Sequence, residues 1–232
     1  MSVVGAALVP AAPVLVPELS GQMMPAAEPL DAARAALRRL IDSDPEQLVV
    51  VAEADREAEF DRSARIGLHR LGGLPRLEDP DAAATEELPL PLAIGAALLD
   101  ELDWAGPTSY RLLNKSISSA EAAELGHQLD EGDSRIGLVL LGNGSARSTE
   151  KAPGSLDPNA EQFNQDLLSM IEQGDRDAIS QLSAEASEGQ MSDIRLPLQL
   201  LAGVASLSPP VGEVGFADQF KGVYYLCATF LP

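Results

Sequence analysis

The chain has 232 residues, enough for one large domain with a substantial core. Its 36 acidic and 16 basic residues give a net charge of -20. A surface this acidic repels phosphate backbones and anionic headgroups, which argues against nucleic acid and membrane as partners. The single cysteine, Cys227, excludes an internal disulfide and lies in an apolar run, so we expect a buried, inert thiol.

The N-terminal stretch is apolar but lacks the features of a signal peptide. The first basic residue is Arg34, and Pro10, Pro13 and Pro17 interrupt the apolar run. No apolar stretch approaches the ~20 residues that a membrane-spanning helix needs. We therefore expect a cytoplasmic protein.

The first quarter of the chain predicts two buried strands joined by a loop and a helix. Residues 2–9 form a short apolar run typical of a strand, and the prolines that follow favour an extended loop over a helix. Asp31 is expected to cap a helix that ends at Asp44-Pro45. Residues 48–52 are apolar throughout, as in a strand covered on both faces, and Glu53-Ala54-Asp55 follow at its carboxyl end.

The rest of the chain continues this alternation after a long charged segment, residues 56–87, which carries one minor strand at 64–69. The further predicted elements begin with a helix from Pro91, a strand at 108–113, a helix at 120–129 and a strand ending at 141. They continue with a helix capped by Asp157, with Pro158 at its first position, and a helix from Asp175 to about Ala186. A last helix is predicted near 192–206, where Pro197 forces a late start or a kink, and closing strands at 211–216 and 223–230. Strands alternating with helices indicate right-handed βαβ units. We therefore predict a single α/β domain over residues 1–232, a three-layer α/β/α fold with a mostly parallel central sheet.

A Gly-rich polar loop after the strand ending at Leu141 is the best site candidate, because ligands of open α/β sheets bind outside the carboxyl ends of strands. Its amides could form an anion nest. The loop matches neither a dinucleotide fingerprint, a P-loop nor a nucleophile elbow, so a tight strand-to-helix connection accounts for it equally well. The candidate ligand-binding residues are Asn143, Gly144, Ser145, Arg147 and Lys151 in the loop, with Ala12 and Asp55 at neighbouring strand ends.

Metal ligands are scarce, since the chain has two histidines and one cysteine. His127 faces away from the apolar stripe of its helix and is expected to be solvated, and His69 lies in the charged segment. Glu53 and Asp55, two residues apart at a strand end, could bind a hard cation, but solvated side chains are the simpler interpretation.

Four blocks of sequence resemble a known family. They are Val9–Leu19 (VPAAPVLVPEL), Gly142–Gly154 (GNGSARSTEKAPG), Leu156–Pro158 (LDP) and Gly222–Phe230 (GVYYLCATF). Together they are similar to the uncharacterised actinobacterial branch of the class III extradiol ring-cleavage dioxygenase (LigB-like) superfamily. The resemblance implies a three-layer α/β/α domain. In active members, two histidines and a glutamate hold Fe(II), and a further histidine acts as acid and base while a catechol ring is cleaved.

This chain departs from that pattern where the chemistry would lie. Ala12 stands where the first metal histidine would follow the first strand, Glu53-Ala54-Asp55 where the second would, and Ala146-Arg147 where the catalytic histidine would. Glu213 and Asp218 are the guesses for the metal carboxylate. The resemblance thus supports the fold and argues against the activity.

Three functions follow as hypotheses. The first is a LigB-like protein without ring-cleaving iron chemistry or another cofactor, which binds a small, anionic molecule or a protein partner at the strand ends; homo-oligomerisation stays open. The alternative is a divergent Fe(II)-dependent dioxygenase or oxidoreductase acting on an aromatic diol, built on Glu53, Asp55, His69 and a distant carboxylate. The third is a hydrolase that uses Ser145 and needs a base within about 3 Å.

Overall fold

The protein is described by a computed structural model that covers residues 3–20, 26–68, 71–72, 76–77 and 86–232. Its strands are β1 (Val3–Val9), β2 (Gln47–Ala54), β3 (Ala58–Asp61), β4 (Arg65–Ile66), β5 (Arg76–Leu77), β6 (Glu87–Leu88), β7 (Thr108–Asn114), β8 (Ile136–Leu141), β9 (Glu213–Phe220) and β10 (Val223–Phe230). Its helices are α1 (Pro17–Ser20), α2 (Ala27–Asp42), α3 (Leu90–Asp100), α4 (Ser119–Asp130), α5 (Ala160–Gln173), α6 (Arg176–Gln181), α7 (Ala184–Gly189) and α8 (Arg195–Gly203).

A seven-stranded sheet, in the order β3-β7-β2-β8-β1-β10-β9, forms the centre of the fold. Its four central strands, β7, β2, β8 and β1, are parallel, so their carboxyl ends meet at one edge. The outer strands β3, β10 and β9 are antiparallel to their neighbours. The α/β prediction is confirmed, whereas the sheet is mixed. The last two strands form a tight hairpin through Lys221 and Gly222, both at positive φ, and a hairpin pairs its own two strands antiparallel.

Helices cover both faces of the sheet, with one apolar core on each side. Leu37 of α2 and Leu98 of α3 belong to one core, and Leu167 of α5 and Leu198 of α8 belong to the other. β8 is buried along its whole length, as its unbroken apolar run requires. A second, three-stranded sheet joins β5, β4 and β6 beside this body.

Two sequence predictions at the start of the chain are wrong in detail. The proline-rich loop contains a 3-10 turn at Pro13–Leu15 and the short α1, because proline is tolerated in the first turn of a helix. The next helix begins at Ala27 rather than after Asp31, with Pro29 in its first turn.

Several helix and strand boundaries later in the chain also differ from the predicted ones. α5 begins at Ala160, because the Asp157 side chain accepts a hydrogen bond from the Asn159 amide in a turn before the helix. The helix predicted from Asp175 to about Ala186 is divided into α6 and α7, since Ser183 caps a new helix. The predicted minor strand is limited to β4, and His69 lies outside the described residues.

None of the helices in the described ranges combines the length and the apolar character needed to cross a bilayer. Cys227 is fully buried on β10, and burial raises the pKa of its thiol to about 12, which fits the inert thiol expected from the sequence.

Candidate functional site

A cavity of about 430 Å³ opens at the carboxyl edge of the parallel strands. Its walls come from the end of β2, the end of β7 and the segment between α7 and α8. The lining residues are Glu53, Ala54, Asp55, Lys115, Glu188, Met191, Ser192 and Asp193. This is where an α/β sheet offers a ligand site, because the connections leave strand ends toward opposite faces.

Glu53 is the first buried carboxyl group of the cavity. Its side chain is 8% exposed, and Oε2 accepts a hydrogen bond of 3.1 Å from the Leu196 amide in the first turn of α8. Burial raises the pKa of Glu53, and the Leu196 amide and the charges of Arg195 and Lys115 act in the opposite direction. The N-terminus of α8 thus donates a hydrogen bond to a carboxyl group that burial has removed from water.

Asp193 is the second carboxyl group, and it ties α8 to the loop after β8. Its Oδ1 accepts hydrogen bonds from the Asn143 backbone amide at 2.6 Å and from Asn143 Nδ2 at 3.2 Å. Burial, together with the nearby Glu53 charge, raises the pKa of Asp193 from 3.8 to about 6. A carboxyl group with a pKa of about 6, such as Asp193, can exchange a proton close to neutral pH, which is the property of a general acid or base.

The turn before Asp193 has an unusual backbone. Met191 lies at the end of α7 with φ of 52°, a left-handed conformation that costs an L-residue roughly 1 kcal/mol. The turn is closed by hydrogen bonds from the Met191 amide to the Glu188 carbonyl and from the Ser192 amide to the Ser187 carbonyl. As a result the Met191 side chain, 53% exposed, stands at the rim of the cavity.

Basic groups near the cavity are already engaged. Lys115 Nζ lies 2.6 Å from Asp55 Oδ1 at the rim, and Asp55 is the main cause of the raised pKa of Lys115. Arg195 is 3% exposed; its guanidinium donates to the Lys115 carbonyl at 2.6 Å and to Gln199 Oε1 at 3.1 Å. Its Nε lies 4.0 Å from Glu53 Oε2 and has no hydrogen-bond partner within the described residues.

The Gly-rich loop borders this cavity, but its amides are not free to bind an anion. The six amides from Gly142 to Arg147 all donate within the chain, to the Val9 carbonyl, Asp193 Oδ1, the Tyr224 carbonyl, Asn164 Oδ1, the Gln190 carbonyl and Ser145 Oγ respectively. These amides therefore form a strand-to-helix connection held by internal hydrogen bonds, and not the anion nest expected from the sequence. Asn143 is the loop residue that reaches the cavity cluster, and its Oδ1 is buried without a donor among the described residues.

Ser145 is not placed as a nucleophile. It is fully buried, its hydroxyl donates to Gln190 Oε1 at 2.8 Å, and the same oxygen accepts from the Arg147 amide at 3.0 Å. A hydrolase would need a basic group as the partner of this hydroxyl, and an amide oxygen cannot take its proton.

The two basic candidates of the loop do not converge on a ligand. Arg147 donates to the Gly154 carbonyl at 3.0 Å and to the Gly189 carbonyl at 2.8 Å, and lies 3.4 Å from Asp157, so it fastens the loop. Lys151 is exposed and lines a different surface hollow, next to Lys221.

The positions compared with the iron ligands follow the ends of β1, β2 and β8, which are parallel neighbours, but their chemistry does not fit iron. Ala12 is 5% exposed and Ala146 8% exposed, and methyl groups offer no lone pair. His127 is half-exposed on α4, 3.5 Å from Glu131. Across the described ranges, no group of three or more His, Cys, Asp or Glu residues is arranged to hold a metal ion.

Neither guessed metal carboxylate belongs to this cavity. β9, which carries both, is four strand spacings from β2, roughly 19 Å at the usual separation. Glu213 is instead paired with Arg39, and Asp218 lines a separate cavity on the α5 side.

Sequence reasoning missed Asp193, Arg195 and Glu188. The only local signal was an acidic residue shortly before a helix, which normally indicates a cap. Asp193 instead reaches Asn143, 50 positions earlier in the chain, and no periodicity reports that contact.

Comparison with known proteins adds information on the fold. No protein-family model matches the chain, and no curated protein matches it. Among solved structures it is similar to the crystal structure of uncharacterized protein JW3007 from Escherichia coli K12, with a TM-score of 0.61 and 15% sequence identity, over 98% of this chain and 99% of that chain. At this identity the likeness concerns the fold alone.

Proposed function

We propose that this chain is a LigB-like α/β protein that binds a small molecule at the carboxyl edge of its sheet and does not perform iron-dependent ring cleavage. One observation carries the proposal: the cavity at this edge contains two carboxyl groups, the buried side chain of Glu53 and the partly buried side chain of Asp193, each held in place by a backbone amide. Cavities with a few convergent polar groups of perturbed pKa are the usual form of small-molecule sites. We expect the protein to act in the cytoplasm.

The residues at the strand ends support the proposal that this chain does not perform iron-dependent ring cleavage. An open iron(II) site of this superfamily would need two imidazoles and a carboxylate. Ala12 and Ala146 replace two of the expected histidines, and the end of β2 offers Glu53 and Asp55. The carboxylate is therefore available, whereas neither the segment after β1 nor the turn after β8 offers an imidazole.

The charge of the cavity favours a ligand that donates hydrogen bonds, rather than the anionic ligand expected from the Gly-rich loop. Four carboxyl groups and one amine line it, and Asp55 already pairs with that amine, Lys115. A bound ammonium group would relieve the repulsion between Glu53 and Asp193, and an added carboxylate would increase it. The exposed thioether of Met191 offers an apolar contact beside it.

A matched series of three probes, benzylamine, benzyl alcohol and benzoate, tests which ligand charge the cavity prefers. Their binding is measured by ligand-observed NMR at millimolar concentration. We expect benzylamine to bind best, and the double variant Glu53→Gln, Asp193→Asn to lose that preference. Asp218→Asn, in a different cavity, is the control and should bind as the wild type does. Preferred binding of benzoate would contradict the proposal.

The alternative is a divergent metal-dependent extradiol dioxygenase or oxidoreductase acting on an aromatic diol. It is favoured by the resemblance and by the carboxyl groups of Glu53 and Asp193 at the expected edge. Anaerobic titration with Fe(II), followed by addition of catechol and oxygen, separates the two functions. Stoichiometric iron binding with ring-cleavage product would establish this alternative in place of the first proposal.

A further inference from the structure

A second cavity, of about 310 Å³, lies between α5 and the β9–β10 hairpin. It shares no lining residue with the cavity at the carboxyl edge, as far as the described residues define the two. Its volume is at the lower end of the range for small-molecule sites, which suits a ligand of one ring.

The walls of this cavity are polar without being basic. Asn164, Gln165 and Gln219 contribute three amide groups, and Glu161 and Asp218 contribute two carboxyl groups. Among the described residues no Lys, Arg or His lines it, so these walls offer no counter-charge to a phosphate or carboxylate. Amide and carboxyl groups together both donate and accept hydrogen bonds, which matches a ligand whose groups do the same.

Tyr224 gives this cavity a polar group that has no partner in the described part of the chain. Its side chain lines the cavity, the residue is 8% exposed, and its hydroxyl makes no hydrogen bond to any of the described residues. Burial raises the pKa of Tyr224, with Asp218 and Glu172 adding to the shift, so the phenol keeps its proton at neutral pH. The hydroxyl oxygen keeps some contact with solvent, so a ligand hydroxyl can replace water as its hydrogen-bond partner.

The groups around Tyr224 are fixed before any ligand arrives. Asn164 is 5% exposed; its Oδ1 accepts from the Ser145 amide at 2.9 Å and its Nδ2 donates to Ser148 Oγ at 3.3 Å. Gly144 lets the ring of Tyr224 pack closely, since a Cβ there would lie 2.7 Å from Cδ1 of the ring and 2.9 Å from Asn164 Oδ1. The Gly-rich loop thus shapes this second cavity.

We propose that the cavity between α5 and the β9–β10 hairpin binds a neutral polyhydroxylated molecule the size of a monosaccharide or cyclitol, with the Tyr224 hydroxyl as a direct contact. Ligand hydroxyls can donate to Asp218 and Glu161 and accept from the amide groups and the phenol. This site is independent of the one at the carboxyl edge.

The test uses D-glucose, D-galactose, D-mannose and myo-inositol as probes, titrated into the full chain and followed by saturation-transfer NMR. We expect at least one of them to bind at millimolar concentration. Tyr224→Phe, which removes only the hydroxyl, should weaken that probe about five- to tenfold, the loss typical of one hydrogen bond.

The matched control is Tyr225→Phe, because Tyr225 is the next residue on β10, equally buried but facing the opposite core. It should leave binding unchanged. Should Tyr224→Phe fail to fold, Asp218→Asn replaces it with the same expected loss. Absence of binding by all four probes, or equal binding by wild type and Tyr224→Phe, would overturn the proposal, as would equal losses in Tyr224→Phe and Tyr225→Phe.

Discussion

Replacing Asp193 by Asn should stabilise the protein increasingly as the pH rises. In the folded chain, burial and the nearby Glu53 raise the pKa of Asp193 from 3.8 to about 6. The folded state therefore binds this proton more tightly than the unfolded state. The contribution of Asp193 to the free energy of unfolding of the wild type consequently falls as the pH rises from 3.8 to above 6. Asn carries no titratable charge, so the variant escapes the loss.

The size of the effect follows from the difference between the two pKa values. A rise from 3.8 to about 6 corresponds to roughly 3 kcal/mol of unfolding free energy once the pH exceeds both values. About half of that develops between roughly pH 5 and pH 8. This interval avoids the isoelectric point near 4.3, where an acidic protein loses solubility.

Urea denaturation of both proteins at several pH values measures the difference in unfolding free energy. The part of this difference that does not change with pH reports the altered hydrogen bonds to Asn143. Only the pH-dependent part tests the raised pKa of Asp193. Glu213→Gln is the control: Arg39 lowers the pKa of Glu213 below its ordinary value of 4.5, so its difference from wild type should stay flat above pH 5. A flat difference for Asp193→Asn as well would refute the assignment.

Three further predictions concern the Gly-rich loop, each measured by urea denaturation against wild type. Gly144→Ala should cost about 1–3 kcal/mol, because its Cβ would overlap the ring of Tyr224; an unchanged midpoint would contradict that packing. Ser145→Ala should cost about 1–3 kcal/mol, because Gln190 Oε1 would lose its buried donor; a neutral effect would mean water replaces the hydroxyl. Arg147→Ala should cost about 1–3 kcal/mol, and Lys should not restore it, since one amine cannot replace a guanidinium that reaches two carbonyls; full rescue by Lys would contradict this role.

Local patterns in the sequence were sufficient to predict six of the seven strands of the main sheet and most helices, whereas β3 lies in the charged segment for which only one minor strand, at 64–69, was expected. Unbroken apolar runs identified β2 and β8, and the closing strand at 223–230 was predicted with its observed bounds. The errors lie where proline or a cap decides a boundary, as at α2 and α5, because a residue that tolerates a helix start does not require one there.

The candidate site was harder to predict than the fold, because its key contacts join distant segments. The strand-end rule pointed to Asp55, which lines the cavity, and to Asn143, which contacts Asp193 beside it. It could not show that Asp193 takes the Asn143 amide, or that Ser145 and Arg147 are used to fasten the loop. Glycine and basic residues in a polar loop look the same in sequence whether they bind a ligand or hold the loop together.

The position of β10 has a consequence for how the chain is made. β1 ends at Val9, yet one of its two sheet neighbours begins only at Val223. While the ribosome is still synthesising the middle of the chain, the edge of β1 that β10 will occupy has no partner, and exposed strand edges invite pairing with other chains. A nascent chain stalled before residue 223 should therefore bind chaperones or aggregate, although nearly all of its helices have already been translated.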